Sequence, residues 1–103
     1  MGSPMRIRTK LEGDVVHVRV LMSHPMETGL RKDEAGQLVP AQFIELATFT
    51  YKDRMVLSAQ WGPAVSRNPY LSFKFRGAAR GEKITISWVD NKGDTRTDEA
   101  VIE

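Results

Sequence analysis

Among the 103 residues of this chain, His24 is the side chain best suited to chemistry. Imidazole is the usual general base and a frequent metal ligand. Its neighbours define two constellations. Ser23 is adjacent and Glu27 lies three residues on, so a hydroxyl, an imidazole and a carboxylate share one short segment. Nucleophilic catalysis also needs an elbow or a glycine-rich oxyanion loop, and neither accompanies the set. A His24 that hydrogen-bonds the loop backbone and shapes it is therefore the stronger reading, with no catalytic residue assigned. The second constellation is Met22, His24 and Met26. Residues two apart on an extended chain face the same way, and thioether with imidazole suits Cu(I). A small copper-binding β-sandwich is the rival that this spacing defines. Against it, Met22 continues the apolar parity of Val16, Val18 and Val20, and Pro25 interrupts the extended run. A core methionine plus a loop methionine accounts for the same residues, with no metal site and no cofactor.

Two further stretches could bind rather than react. Glu27, Arg31, Lys32, Asp33 and Glu34 form a mixed-charge run beside Met26, Leu30, Leu38, Val39 and Phe43. Apolar residues with a charged rim suit a protein interface, though a solvated loop explains the charges equally well. Asn68-Pro69 is a turn device leading into a strand. Tyr70 faces opposite to Leu71, Phe73 and Phe75, and tyrosine is a common interface anchor. Trp61 and Trp88 continue apolar parities and read as core.

The elements that must hold these residues are strands. Alternation marks seven of them, at about 6–11, 15–22, 42–52, 54–61, 70–76, 82–90 and 95–102. Met55, Leu57, Ala59 and Trp61 are expected to share one inward face. Glu12-Gly13-Asp14, Lys52-Asp53-Arg54, the stretch from Gly77 to Gly81 and Asp90-Asn91-Lys92-Gly93 supply turns. Seven short alternating strands in an all-β chain predict an immunoglobulin-like antiparallel β-sandwich. Successive strands reverse direction, so loop 23–41, loop 61–69 and hairpin 90–94 should meet at one end.

Composition narrows the function. The sequence has no cysteine, which excludes a disulfide, a thiolate nucleophile and a Cys-ligated metal. A net charge of +2 argues for neither nucleic acid nor an anionic membrane surface. The basic residues read as scattered over a solvated surface. No apolar run approaches the ~20 residues that span a bilayer. Met1-Gly2-Ser3-Pro4 reads as an expression remnant, with Met5 as the native start and 5–103 as a single domain. No signal peptide is visible, so by its own signals the chain stays in the cytoplasm unless an exported partner carries it.

One resemblance gathers the scattered motifs. Ser23-His24-Pro25-Met26-Glu27-Thr28-Gly29-x-Arg31-Lys32-Asp33, Gly36, Val39-Pro40, Pro63-Ala64-x-Ser66-x-Asn68-Pro69-Tyr70-Leu71-x-Phe73 and Trp88-x-Asp90 follow one another in an order that resembles the SoxZ family. These are the Z subunits of the SoxYZ carrier complex of bacterial thiosulfate oxidation. The resemblance implies the same sandwich fold and a non-catalytic subunit that forms a heterodimer with a SoxY-like carrier. The carrier bears the sulfur intermediates on its own cysteine. It also implies transient contact with other sulfur-oxidation enzymes, and a periplasmic location reached with a partner that bears the signal peptide. On this reading His24, Met26, Glu27, Arg31, Asn68 and Tyr70 are the expected partner-binding residues. A generic immunoglobulin-like accessory module remains a third reading.

Overall fold

In the computed structural model of the chain, which describes residues 3–103, each alternating run becomes a strand. Met1 and Gly2, part of the expected remnant, lie outside the described residues. The strands are β1 (Arg6–Glu12), β2 (Val15–Leu21), β3 (Ile44–Tyr51), β4 (Arg54–Gln60), β5 (Tyr70–Arg76), β6 (Lys83–Asp90) and β7 (Thr95–Val101). They form two antiparallel sheets, β1-β2-β5 and β4-β3-β6-β7. The expected β-sandwich is thus present. The fourth strand stays beside the third, whereas a constant-type immunoglobulin domain places it beside the fifth.

The core is the set of inward parities from both sheets. Val16, Val18 and Val20 of β2 face Ala47, Phe49 and Tyr51 of β3 and Ile84, Ile86 and Trp88 of β6, all buried. Phe73 closes the gap, its ring 4.9 Å from Phe49 in an edge-to-face contact, a favoured aromatic geometry. Met5 and Ile102 seal the chain ends into the same cluster.

Two β-bulges reset the parity where simple alternation fails. In the β3–β4 ladder Phe49 faces Leu57 while Thr50 faces Met55, leaving Val56 as the extra residue. Beyond that bulge the pattern inverts. Met55, expected to point inward with Leu57 and Ala59, is 56% exposed. In the β3–β6 ladder Ile44 pairs Asp90 and Leu46 pairs Val89, leaving Glu45 extra. This turns Ile44 into the core three residues before Ala47. The Trp61 N–H donates to the Glu45 carbonyl at 2.9 Å, so the bulge has a partner from the next loop.

Six of the fifteen basic residues are gathered on one face, while the other nine are spread over the loops and the second sheet. Arg6, Arg8 and Lys10 of β1, Arg19 of β2, and Lys74 and Arg76 of β5 all take the outward parity of the three-stranded sheet. The sequence alternates them, and antiparallel pairing brings the three alternations onto one face.

At the far end from the long loop, Glu82 fastens the turn after β5. It accepts hydrogen bonds from the Tyr51 hydroxyl, from the Ala79 N–H at 2.7 Å and from Lys52 Nζ at 2.8 Å. The Lys52 ammonium first, then the Tyr51 hydroxyl and the Ala79 N–H, pull its carboxyl down to about 2 from an ordinary 4.5. A depressed carboxylate stabilises the fold above its unfolded pKa, and that contribution disappears as pH falls through the folded value. Glu82→Gln is therefore expected to be less stable than the wild type at pH 6. The gap between their urea midpoints should close between pH 4.5 and 2. A gap that is constant over this range would mean that the charge of Glu82 contributes nothing.

Candidate functional site

The three loops expected at one end of the sandwich do meet there, and a buried histidine ties them. The alternation of β2 runs past its last residue. Met22, His24 and Met26 are all buried while Ser23 and Pro25 are exposed. His24 therefore points between the sheets. Its Nε2 lies 3.0 Å from Asp90 Oδ2, and both side chains are fully enclosed. Its Nδ1 lies 3.0 Å from the Met26 backbone nitrogen. An N–H can only donate, so Nδ1 must accept and carries no proton. The ring is then the Nε2–H tautomer, donating to the Asp90 carboxylate. Trp88 presses on it edge-on, with centroids 4.9 Å apart at 90°.

Asp90 is the hub. Its Oδ2 accepts from His24 and from Gln42 Nε2 at 3.1 Å. Its Oδ1 accepts from the Lys92 and Asp94 N–H groups, each at 2.9 Å. Burial pushes this carboxyl up, but the hydrogen bonds from His24, Gln42 and the Lys92 N–H outweigh it and hold the group below the usual aspartate range. One carboxylate thus shapes the 90–94 turn, the start of the long loop and its return at Gln42. The sequence reading missed this role. The signal was present, because Ile84, Ile86, Trp88 and Asp90 share one parity and aim the acid inward.

Asn68 secures the third loop. Its Oδ1 accepts the His24 N–H at 3.1 Å and its own N–H donates to the His24 carbonyl at 2.9 Å. It adopts the left-handed region, φ 52°, which asparagine tolerates better than other non-glycine residues. The Met22 N–H donates to the Pro69 carbonyl at 2.9 Å. Met26 is also left-handed, φ 49°, and turns the chain out of the strand line. Its sulfur accepts the Ile44 N–H at 3.3 Å.

From this knot the segment between β2 and β3 folds back on itself as an arm. Glu27 and Gln42 exchange backbone hydrogen bonds of 2.6 and 3.0 Å, and Lys32 bridges Leu38. Gly29 takes φ 87°, and a Cβ there would lie 3.1 Å from that of Ala41, so glycine permits the close approach of the two limbs. Asp33 forms the tip, its Oδ1 accepting from the Ala35 and Gln37 N–H groups. Arg31 grips Glu27 through Nε at 3.0 Å and Nη2 at 2.6 Å. The Arg31 hydrogen bonds hold the Glu27 carboxyl below its ordinary value. Leu30 and Leu38 stand 82% and 60% exposed. The molecule measures 54 × 21 × 19 Å, while strands of this length span only about 25 Å. The loops and arm account for the elongation.

The residues singled out in the sequence therefore divide. His24 and Met26 lie inside and present no surface to a partner in this conformation. His24 bonds the loop backbone, as expected of it. Asn68 holds the loops together. Arg31 and Tyr70 remain at the surface, with Tyr70 60% exposed, whereas the Glu27 side chain is largely covered and held by Arg31. The copper reading loses its donors. Both His24 nitrogens are engaged, the Met26 sulfur accepts a backbone N–H, and Met22 is fully buried in the core.

The sequence model of the family described as sulphur oxidation protein SoxZ matches residues 5–101. No curated protein sequence matches the chain. Among solved structures, a hypothetical protein from Pyrococcus horikoshii OT3 is similar, with a TM-score of 0.61 and 18% identity over 96% of this chain and 87% of that one. A superoxide reductase in its oxidized state gives 0.61 at 17% identity over 96% and 86%. A superoxide reductase (neelaredoxin) from Archaeoglobus fulgidus in its reduced form gives 0.60 at 18% identity over 97% and 86%. At these identities the likeness is one of fold. Among the described residues, no group of three His, Cys, Asp or Glu side chains is placed to hold a metal ion.

Proposed function

Since this chain belongs to the SoxZ family of sulphur oxidation proteins, we propose that it is the non-catalytic partner of a cysteine-bearing, SoxY-like sulfur carrier. The observation that carries this reading is the arm. Hydrogen bonds and the His24–Asp90 knot preform it, yet its Leu30 and Leu38 contribute nothing to the core. Exposed apolar residues with a charged rim on a preorganised element suit protein binding, because little ordering entropy remains to be lost. Two facts support a non-catalytic role. The most reactive side chain in the loop, His24, is committed to structure through both nitrogens, and no cysteine is available to carry sulfur. The pair handles sulfur intermediates of thiosulfate oxidation in the periplasm, with the carrier supplying both the thiol and the export signal. Other enzymes of the pathway visit it transiently.

The test is co-expression with a SoxY-like carrier followed by size-exclusion chromatography and titration calorimetry. A stable heterodimer is expected, and independent elution at micromolar concentration would sink the reading. Arg31→Ala and Tyr70→Ala are expected to melt within about 3 °C of the wild type, because exposed side chains contribute little to folding. Arg31→Ala, on the arm, should weaken the pair at least tenfold if Arg31 is an anchor, whereas Tyr70→Ala, on β5 and off the arm, should leave it unchanged. A variant that loses stability while pairing normally would reassign that residue to the fold.

A further inference from the structure

The outward face of β1-β2-β5 is built in four cross-strand rows. Arg6, Leu21 and Tyr70 form the row nearest the loop end. Arg8, Arg19 and Ser72 form the second, Lys10, His17 and Lys74 the third, and Glu12, Val15 and Arg76 the last. Six cations and one carboxylate occupy the face. Its formal charge is therefore +5, against +2 for the whole chain, which leaves a net −3 on the rest. Glu12 engages Lys10 at 3.5 Å and approaches His17 at 3.8 Å, and Arg76 reaches Asp14 at 4.0 Å. Arg6, Arg8, Arg19 and Lys74 have no carboxylate partner among the described residues. Arg8 sits directly opposite Arg19, an arrangement that places like charges about 5 Å apart at their Cβ atoms and opposes folding.

The other sheet shows that this is not a general surface property. Its outward face carries Leu46, Thr48 and Thr50 of β3, Lys83, Thr85, Ser87 and Val89 of β6, and Thr95, Thr97 and Glu99 of β7. The charges of Lys83 and Glu99 cancel, so these positions carry no net charge.

We propose that the basic face is a docking surface for an acidic protein that visits the subunit transiently, with Leu21 and Tyr70 as its apolar anchor. This goes beyond the pairing with a carrier, which is assigned to the arm. Charge complementarity sets the chemistry of the partner. Four of the six cations are arginines, whose planar forks match carboxylates in pairs. Leu21 and Tyr70 are 37% and 60% exposed and lie opposite each other in the ladder. They offer apolar contact that a phosphate backbone would not use. The size of the face sets the lifetime. Twelve residues are about half of what one side of a stable interface supplies, so the contact is of the small, fast-exchanging class. Clustered charge on such a face raises the association rate and makes it salt-dependent.

The experiment titrates the isotopically labelled full chain with poly-L-glutamate as the acidic polypeptide, followed by NMR at 20 and 200 mM salt. Shifts are expected on the rows of Arg8–Arg19 and Lys10–His17–Lys74 and at Tyr70, fading at the higher salt. The double variant R8E/R19E should lose at least tenfold in affinity while pairing with the carrier as the wild type does. Arg19→Thr should bind more weakly and yet melt about 1–4 °C higher, because the opposed arginines are relieved. Three outcomes overturn the proposal: shifts spread over both sheets, duplex DNA bound more tightly than the acidic polypeptide, or R8E/R19E failing to pair with the carrier. The last would make the face part of the permanent interface.

Discussion

Asp90→Ala is expected to destabilise the chain by about 3–5 kcal/mol, the range for removing one member of a buried, hydrogen-bonded pair. A domain of this size has only some 5–15 kcal/mol in total, so the variant should be marginal at 25 °C. The loss has identifiable parts. The His24 Nε2–H is left buried without an acceptor, and the Lys92 and Asp94 N–H groups lose theirs at the turn. Asparagine is not a rescue. Its carbonyl oxygen can serve either the turn or His24 and Gln42, and its amide nitrogen then meets N–H donors on the other side. Rotating the ring proton to Nδ1 is blocked, because Nδ1 already accepts from Met26. Asp90→Asn is therefore expected to cost about 2 kcal/mol or more, the penalty for a buried donor left unpaired. Urea unfolding monitored by tryptophan fluorescence measures both variants. A wild-type midpoint for Asp90→Asn would refute the Nε2–H tautomer and the hub role together.

The second large effect belongs to Trp88. It is 2% exposed and packs between the His24 ring and the core. Trp88→Ala should cost about 3–5 kcal/mol through lost contacts and the cavity left behind. The indole nitrogen, however, is buried and has no hydrogen-bond partner among the described residues. An unpaired donor of that kind carries a penalty of about 1–3 kcal/mol. Trp88→Phe removes the penalty along with part of the ring, and the two changes oppose each other. Its midpoint should lie close to that of the wild type and far above that of Trp88→Ala. Equal losses in the two variants would mean that the nitrogen has a partner, such as a buried water.

The strands were legible in the sequence because each carries its own alternation, and every expected strand lies within two residues of an observed one. The meeting of three loops at one end followed from counting reversals. The bulges at Val56 and Glu45 were not legible, since an extra residue in a ladder is defined by the partner strand and not by its own neighbours. That is why Met55 was assigned to the wrong face. The reach from His24 to Asp90 was hidden for the same reason, and only the inward parity of the acid hinted at it. Net charge misled in a different way. A total of +2 conceals a face of +5, because charge adds over the whole chain while a partner meets one surface at a time.

The knot at the loop end also fixes an order of events. Hairpins β1–β2, β3–β4 and β6–β7 join neighbours in sequence and close short loops. His24 must find Asp90 66 positions away and Asn68 44 positions away, and contacts of such separation are established late because a long loop is closed before they return any energy. The arm can acquire its rigid base only after β6 has taken its place. A chain stopped short of Asp90, or one whose sheets have not yet met, would present Leu30 and Leu38 on a segment without a fixed direction. A partner that reads the arm would thereby select finished subunits over unfinished ones.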